Sequence, residues 1–304
     1  AGNDYIKNDG THTKIYGDTG NDTIEFGEGD ATVEYSAGDG NDVIINYNPG
    51  DEYMHRNLIH LNDVSISGSE LSATNVIVTV GSGTMTFKNA RGKAIHFLNA
   101  DGTQVIRAFG NSSVNTGLNN ISIETSNRFD SVECFGNNVT INTGDGNDTI
   151  WLMCTNTTLD AGAGNDNIYA SGQSLSIDAG DGNDAIFSNF SDSTNNITVH
   201  AGKGDDLIDL PSLGSGVIQY AEGDGMDNGS GYNADYVLSI GNATYSTQRG
   251  NDGMLLVSIG SGYINLGTYS GGVININGNL VEIDDADADA ATDTDSDTDA
   301  DSDQ

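Results

Sequence analysis

A short pattern that returns in phase along the chain limits the fold more than any other feature. It reads Gly17-Asp-Thr-Gly-Asn-Asp22, Ala37-Gly-Asp-Gly-Asn-Asp42, Thr143-Gly-Asp-Gly-Asn-Asp148, Ala161-Gly-Ala-Gly-Asn-Asp166, Ala179-Gly-Asp-Gly-Asn-Asp184 and Ala201-Gly-Lys-Gly-Asp-Asp206. A truncated copy ends at Asp4, and a last one, Glu222-Gly-Asp-Gly-Met-Asp227, lacks the Ile that closes the others. The final Asp recurs in steps of 18 and 20, then of 18, 18, 22 and 21. Such a period means stacked supersecondary units in place of an ordinary globular core. Ile6, Ile24, Ile44, Ile150, Ile168, Ile186 and Ile208 each stand two residues beyond the Asp. Strand alternation puts positions two apart on one face, so these Ile residues are expected to form an inward stack.

Halfway round each period comes a turn poorer in Gly, then a second alternation: Val139-Thr-Ile141, Leu175-Ser-Ile177, Ile197-Thr-Val199 and Val217-Ile-Gln-Tyr220. One coil is therefore turn, strand, turn, strand. The expected class is all-β: right-handed parallel β-roll or β-solenoid blocks alternating with small antiparallel β capping units and ending in an acidic disordered tail. A longer repeat places the caps. Val76-Ile-Val-Thr-Val-Gly-Ser-Gly83-Thr-Met-Thr-Phe87 matches Leu255-Leu-Val-Ser-Ile-Gly-Ser-Gly262-Tyr-Ile-Asn-Leu266 without gaps. Its alternation about Gly-Ser-Gly reads as a hairpin, and a hairpin after the last coil covers an open strand edge. The expected units are coils at 1–44, a cap or connector at 45–110, a roll at 111–227, a second cap at 228–283 and a tail at 284–304. The tail is built of Asp, Ala, Thr and Ser with one Gln, and has nothing to bury.

Gly at alternate turn positions permits positive φ and turns carbonyl oxygens toward one point, while a carboxylate follows at fixed spacing. That is an oxygen cage. Calcium takes six to eight oxygens in a tolerant geometry, whereas zinc wants His or Cys, which these turns lack. The candidate ligands are Asp22, Asp42, Asp148, Asp166, Asp184 and Asp206, with Asp4 and Asp227 at the less regular ends. The turn glycines are Gly20, Gly38, Gly40, Gly144, Gly146, Gly162, Gly164, Gly180, Gly182, Gly202 and Gly204.

These segments resemble the glycine- and aspartate-rich nonapeptide of RTX, or haemolysin-type, calcium-binding proteins. The resemblance implies an ion between neighbouring turns on one edge of a parallel β-roll, held by Asp side chains and Gly-rich carbonyls. The pairs Asp22/Asp42, Asp148/Asp166, Asp166/Asp184 and Asp184/Asp206 would then bracket about four ions, and up to six with the end pairs Asp4/Asp22 and Asp206/Asp227. Only alternate nonapeptides carry the motif here, so a single calcium row is expected and not two.

Charge agrees with a cation as partner. The chain has 45 acidic and 10 basic residues, a formal net charge of −35, which disfavours nucleic acid and anionic membranes. No apolar run is long enough for a membrane span, so no membrane insertion is expected. Calcium is scarce in cytosol, which points to a secreted or cell-surface protein that folds as it meets the ion. The expected function is a calcium-stiffened extracellular structural or adhesive segment, with neighbouring copies of itself or a glycan or protein ligand as partners. The alternative is the calcium-binding auxiliary region of a secreted epimerase, protease or lipase. Ice binding would need a Thr row at the turns, and only Thr19 occupies that position.

No catalytic constellation stands out, so no enzyme is expected. His12, His55, His60, His96 and His200 are scattered, without metal-ligand spacing, and no G-x-S-x-G or phosphate-binding loop occurs. Trp151, Tyr169 and Phe187 lie three residues past successive turn Asp residues, on the outer face. An exposed aromatic ladder suits sugar rings, and the plainer expectation is that it stabilises the sheet. Cys134 and Cys154 fall on adjacent coils, out of register, and read as two buried thiols or a disulfide. Asn111, Asn156 and Asn196 head Asn-x-Ser/Thr sequons, which an Asn- and Thr-rich composition produces by itself.

Overall fold

Each period folds as one coil of two short strands, and the coils stack in parallel into a β-solenoid of about 12 turns. The computed structural model describes residues 1–50, 56–188, 196–211, 214–250 and 252–283, and no helix occurs within them. The Asp-rich stretch 284–304, expected to be disordered, lies outside the described residues.

Alternation explains the coil. In the Thr149–Leu152 strand Ile150 and Leu152 are buried while Trp151 faces outward. Ile150 pairs in register with Val132 on one side and Ile168 on the other, and the column runs on through Ile186 and Ile208. Each is at most 2% exposed, so the inward Ile stack is present. Facing it across the interior stand Ile123, Ile141, Leu159, Ile177, Val199, Ile218 and Leu238, also in register. Every such aliphatic side chain contributes about 1.5–3 kcal/mol by leaving water.

The strands form three sheets. A shared sheet of 14 strands runs the whole length, from Thr13–Tyr16 to Asn279–Glu282. A first facing sheet of six strands holds Tyr5–Asn8, Thr23–Phe26 and Asn41–Ile45, followed by Gly83–Phe87, Val76–Val80 and Ile66–Leu71. A second facing sheet of ten strands runs from Ser113–Thr116 to Met226–Ser230 and then takes in Gly262–Thr268, Met254–Ile259 and Tyr245–Arg249.

Both expected hairpins form, and each is grafted onto a facing sheet. Gly83–Phe87 is antiparallel to Val76–Val80 yet parallel to Asn41–Ile45. Gly262–Thr268 stands in the same relation to Met254–Ile259 and Met226–Ser230.

The two blocks meet at one antiparallel step. Ala94–Asn99 runs parallel to Leu58–Leu61 but antiparallel to Gln104–Ala108, which begins the parallel run of the second block with Ile121–Glu124. The core changes face at the same step. Ile95 and Phe97 belong to the first core, and their partners across the pair are Arg107 and Val105. Ile106 and Ala108 belong to the second core, opposite His96 and Ala94. Reversing both strand direction and buried face amounts to a half-turn about the stacking axis. The Gly-Asp turns follow shared-sheet strands in both blocks, so the half-turn puts the two sets of turns on opposite borders of the molecule. A single row was expected; each block carries one row, and the two rows do not line up.

Candidate metal centre

The turn at 161–166 shows how the cage is built. Gly162 and Gly164 have φ of 101° and 136°, which an L side chain rarely adopts. A Cβ on either would overlap the carbonyl oxygen of Gly144 or Gly146 in the preceding turn. Glycine thus serves twice, for the turn and for the coil spacing. The other turn glycines, Gly20, Gly38, Gly40, Gly144, Gly146, Gly180, Gly182, Gly202 and Gly204, also lie at positive φ.

The closing carboxylates form a continuous ladder. The Asp148 amide donates to Asp166 Oδ1 at 2.7 Å, Asp166 to Asp184 at 2.7 Å, Asp184 to Asp206 at 2.8 Å and Asp206 to Asp227 at 3.1 Å. In the first block Asp4 donates to Asp22 at 2.7 Å and Asp22 to Asp42 at 2.9 Å. Asp22, Asp42, Asp148, Asp166, Asp184, Asp206 and Asp227 are all buried, and Asp4 is exposed.

One oxygen of each carboxylate is thereby satisfied. The other is not: Oδ2 of Asp22, Asp148, Asp166, Asp184 and Asp206 is buried without a hydrogen-bond partner. A buried carboxylate oxygen with no partner is costly when ionised. Burial accordingly pushes Asp42, Asp148 and Asp206 up to about 6, Asp166 and Asp184 up to about 7, and Asp227 up to about 8. Coulombic repulsion from neighbouring Asp residues adds to the rise in each. A neighbouring cation is what would favour their ionised form.

The donor set suits calcium. Among the described residues no three His, Cys, Asp or Glu side chains converge, so an ion here would have to draw on one or two carboxylates plus backbone carbonyls. An all-oxygen set of backbone and carboxylate fits a hard, geometrically tolerant cation and not zinc.

A second ladder runs the other way and escaped the sequence reading. The amides of Asn165, Asn183 and Asp205 donate to the Oδ1 of Asn147, Asn165 and Asn183 at 2.9, 2.9 and 3.1 Å. The Asn before each Asp is therefore a clamp between coils. Asp130 was also missed. It is buried, its amide donates to Asp148 Oδ1 at 2.8 Å, and it lies 18 residues before Asp148. Its turn, Thr125-Ser-Asn-Arg-Phe-Asp130, contains no Gly, so only the period could have found it. Both of its oxygens are taken, Oδ1 by the amide and hydroxyl of Ser112 at 2.6 Å and Oδ2 by the Ser126 amide at 3.2 Å. Asp130 therefore closes the second column at its start.

Each column also ends deliberately. Met85 stands in register beside Asp42, and Ile264 beside Asp227, where another Asp would continue the row. The Tyr35 hydroxyl donates to the Gly40 carbonyl at 2.6 Å, and Tyr220 does the same to Gly225 at 2.5 Å.

The remaining candidates stand apart from the columns. Trp151, Tyr169 and Phe187 stack with centroids 5.7 and 5.3 Å apart and planes within 17°. Their faces are spent on one another, which favours the sheet-stabilising role over sugar stacking. Cys134 and Cys154 are buried free thiols in mutual contact. His60 bonds Glu34 at 2.7 Å, His200 bonds Asp178 at 3.1 Å and His12 lies 3.5 Å from Asp30, while burial lowers His96 to about 4. His55 lies outside the described residues. No helix of the described residues is long and apolar enough to cross a membrane.

The family model of the RTX calcium-binding nonapeptide repeat matches the chain in 4 copies, over residues 14–33, 136–152 and 155–186. Those spans contain the turns closed by Asp22, Asp148, Asp166 and Asp184. No curated protein matches. Among solved structures, the extracellular lipase LipA from Serratia marcescens is similar at 15% identity with a TM-score of 0.22. That alignment covers 88% of this chain and 37% of the lipase, so the chain spans little more than a third of that protein's length.

Proposed function

We propose that this chain, parts of which match the RTX calcium-binding nonapeptide repeat, is an extracellular structural segment that folds and stiffens as calcium fills its turn columns. The observation that carries this reading is the set of five buried Oδ2 atoms without partners, at Asp22, Asp148, Asp166, Asp184 and Asp206. Each belongs to the earlier member of a bonded pair, so the ions are assigned to Asp22/Asp42, Asp148/Asp166, Asp166/Asp184, Asp184/Asp206 and Asp206/Asp227. Calcium would supply positive charge there. The chain supplies the rest: glycines let neighbouring turns approach closely, and the amide ladder holds one oxygen of each of these five carboxylates while the other stays without a hydrogen bond.

Magnitudes support a folding switch. With calcium tenfold above a Kd of ~10⁻⁴ M, each site adds about 1.4 kcal/mol, and independent sites together add roughly 7. That equals the whole stability of many domains. Cytosolic calcium is far too dilute to provide it, which supports work outside the cell.

Circular dichroism during calcium titration, with a chelator control, tests this. The chain should lack β structure in chelator and gain it cooperatively with calcium. Asp166→Asn keeps an Oδ1 acceptor but loses the charge, and should move the calcium midpoint several-fold higher. β structure already complete in chelator and unchanged by calcium would refute the reading.

A further inference from the structure

Cys134 and Cys154 are the two cysteines of the sequence, and both lie inside the second core, 0% and 1% exposed. We propose that outside the cell they are oxidised to a disulfide that staples two neighbouring coils at the near end of the second carboxylate column. The staple itself needs only folded coils, and its effect on calcium demand rests on the reading above.

Register brings the pair together. Cys134 ends the Ser131–Cys134 strand and stands beside Leu152, two residues short of Cys154. The offset between the cysteines, 20 residues against a period of 18, is taken up by the bend between the Thr149–Leu152 and Thr155–Asp160 strands. In that bend the Met153 amide donates to the Cys134 carbonyl at 2.9 Å, so the backbone leading into Cys154 lies directly against Cys134. Thr155 is flanked in register by Asn137 and Gln173, which puts Gly136 and Gly172 on the two sides of Cys154. Neither glycine offers a side chain, and a Cβ at Gly172 would overlap the Cys154 carbonyl. The Cys154 sulfur therefore meets its neighbour diagonally, and the two thiols are in contact.

The same contact divides the chemical roles. Hydrogen bonds from Cys134 and Thr157 lower the pKa of Cys154, while the bond to Cys154 and burial raise that of Cys134. Cys154 is thus the attacking thiolate. It opens a small disulfide oxidant such as glutathione disulfide, forming a mixed disulfide and releasing one glutathione thiolate. Cys134 then attacks the Cys154 sulfur and releases the second. Two protein thiols are oxidised, one external disulfide is reduced, and the two departing glutathione thiolates take up the two protons. Burial at both cysteines means that the exchange takes place while the coils are open. Once they close, the bond is shielded from reductant.

The position of the staple gives it a purpose. Cys134 belongs to the coil closed by Asp130, whose oxygens are both bonded within the protein. Cys154 belongs to the coil closed by Asp148, which has a bare Oδ2. A coil that needs no ion is thereby tied to the first coil that does, and later coils add to a joint already formed. Covalent closure of a loop of about 20 residues favours the folded state roughly a hundredfold. Spread over the ions assigned to the second block, that lowers the calcium midpoint roughly threefold.

Refolding of the full chain in a glutathione redox buffer, followed by alkylation and mass spectrometry, puts the staple to the test. In calcium the chain should lose two hydrogens, take up no alkylating agent and yield one pair of peptides joined through Cys134 and Cys154. Its oxidation constant should be roughly tenfold or more above that of the same chain in urea, because the folded register holds the sulfurs together. Circular dichroism should then place the calcium midpoint of the oxidised chain roughly threefold below that of the reduced chain. The double variant Cys134→Ser, Cys154→Ser should show one midpoint under both conditions. A chain that stays reduced in calcium while forming the disulfide in urea would overturn the proposal, as would crosslinks between molecules. So would equal calcium midpoints for the oxidised and reduced chains. A chain already folded in chelator counts against the calcium reading alone, and the staple is then scored by the same oxidation constant and by a higher urea midpoint for the oxidised form.

Discussion

Asp148, Asp166, Asp184 and Asp206 each keep one carboxylate oxygen on the amide of the preceding coil and leave the other bare. Their folded pKa values are raised, chiefly by burial, to about 6 or 7. A raised pKa means that the metal-free fold gains most below the unfolded carboxylate pKa and loses that gain as pH rises through the folded one. In chelator, where the chain lacks β structure at neutral pH and above, circular dichroism should therefore show part of it return as pH is lowered towards about 5. With saturating calcium, which needs the ionised form, that pH dependence should vanish or reverse. A backbone test is Gly164→Ala. Its φ of 136° and the Gly146 carbonyl against it leave no room for a methyl group. With the carbonyl overlap added, the cost should exceed the ~1–3 kcal/mol typical of a non-glycine residue held in such a backbone region, read as a shift in the calcium midpoint. At this scale the sequence was legible wherever residue type and period agreed, as at Asp166 and Gly164. It was opaque at Asp130, whose turn lacks Gly, and at Asn165, whose clamp depends on the height of the next coil.

Strands and caps follow the same division. The Ile150 and Ile141 columns were readable because period-two burial is a local property. The double pairing of Gly83–Phe87, antiparallel on one side and parallel on the other, was not, since alternation looks the same in either pairing. The caps end each column by placing Met85 or Ile264 beside the last Asp and a tyrosine hydroxyl on the last turn carbonyl. Tyr220→Phe removes that bond and nothing else. It should lower the stability of the calcium-loaded protein by about 0.5–1.5 kcal/mol, measured by urea unfolding, with little change in calcium stoichiometry.

For the whole molecule, the half-turn between blocks could not be read from the chain, because it rests on one antiparallel pair and on which side of it Ile95 and Ile106 face. Its effect is that no single flank gathers all the acid, and the two blocks share a sheet without sharing a metal border. The carboxylate ladder has a direction as well: every amide from Asp130 to Asp206 leans on the side chain one storey further along, never on the one behind. A missing carboxylate at Asp184 would thus strand the donor at Asp166 while Asp206 kept its tie to Asp227. Loss of a carboxylate in this stack is thus felt one coil back and not one coil on.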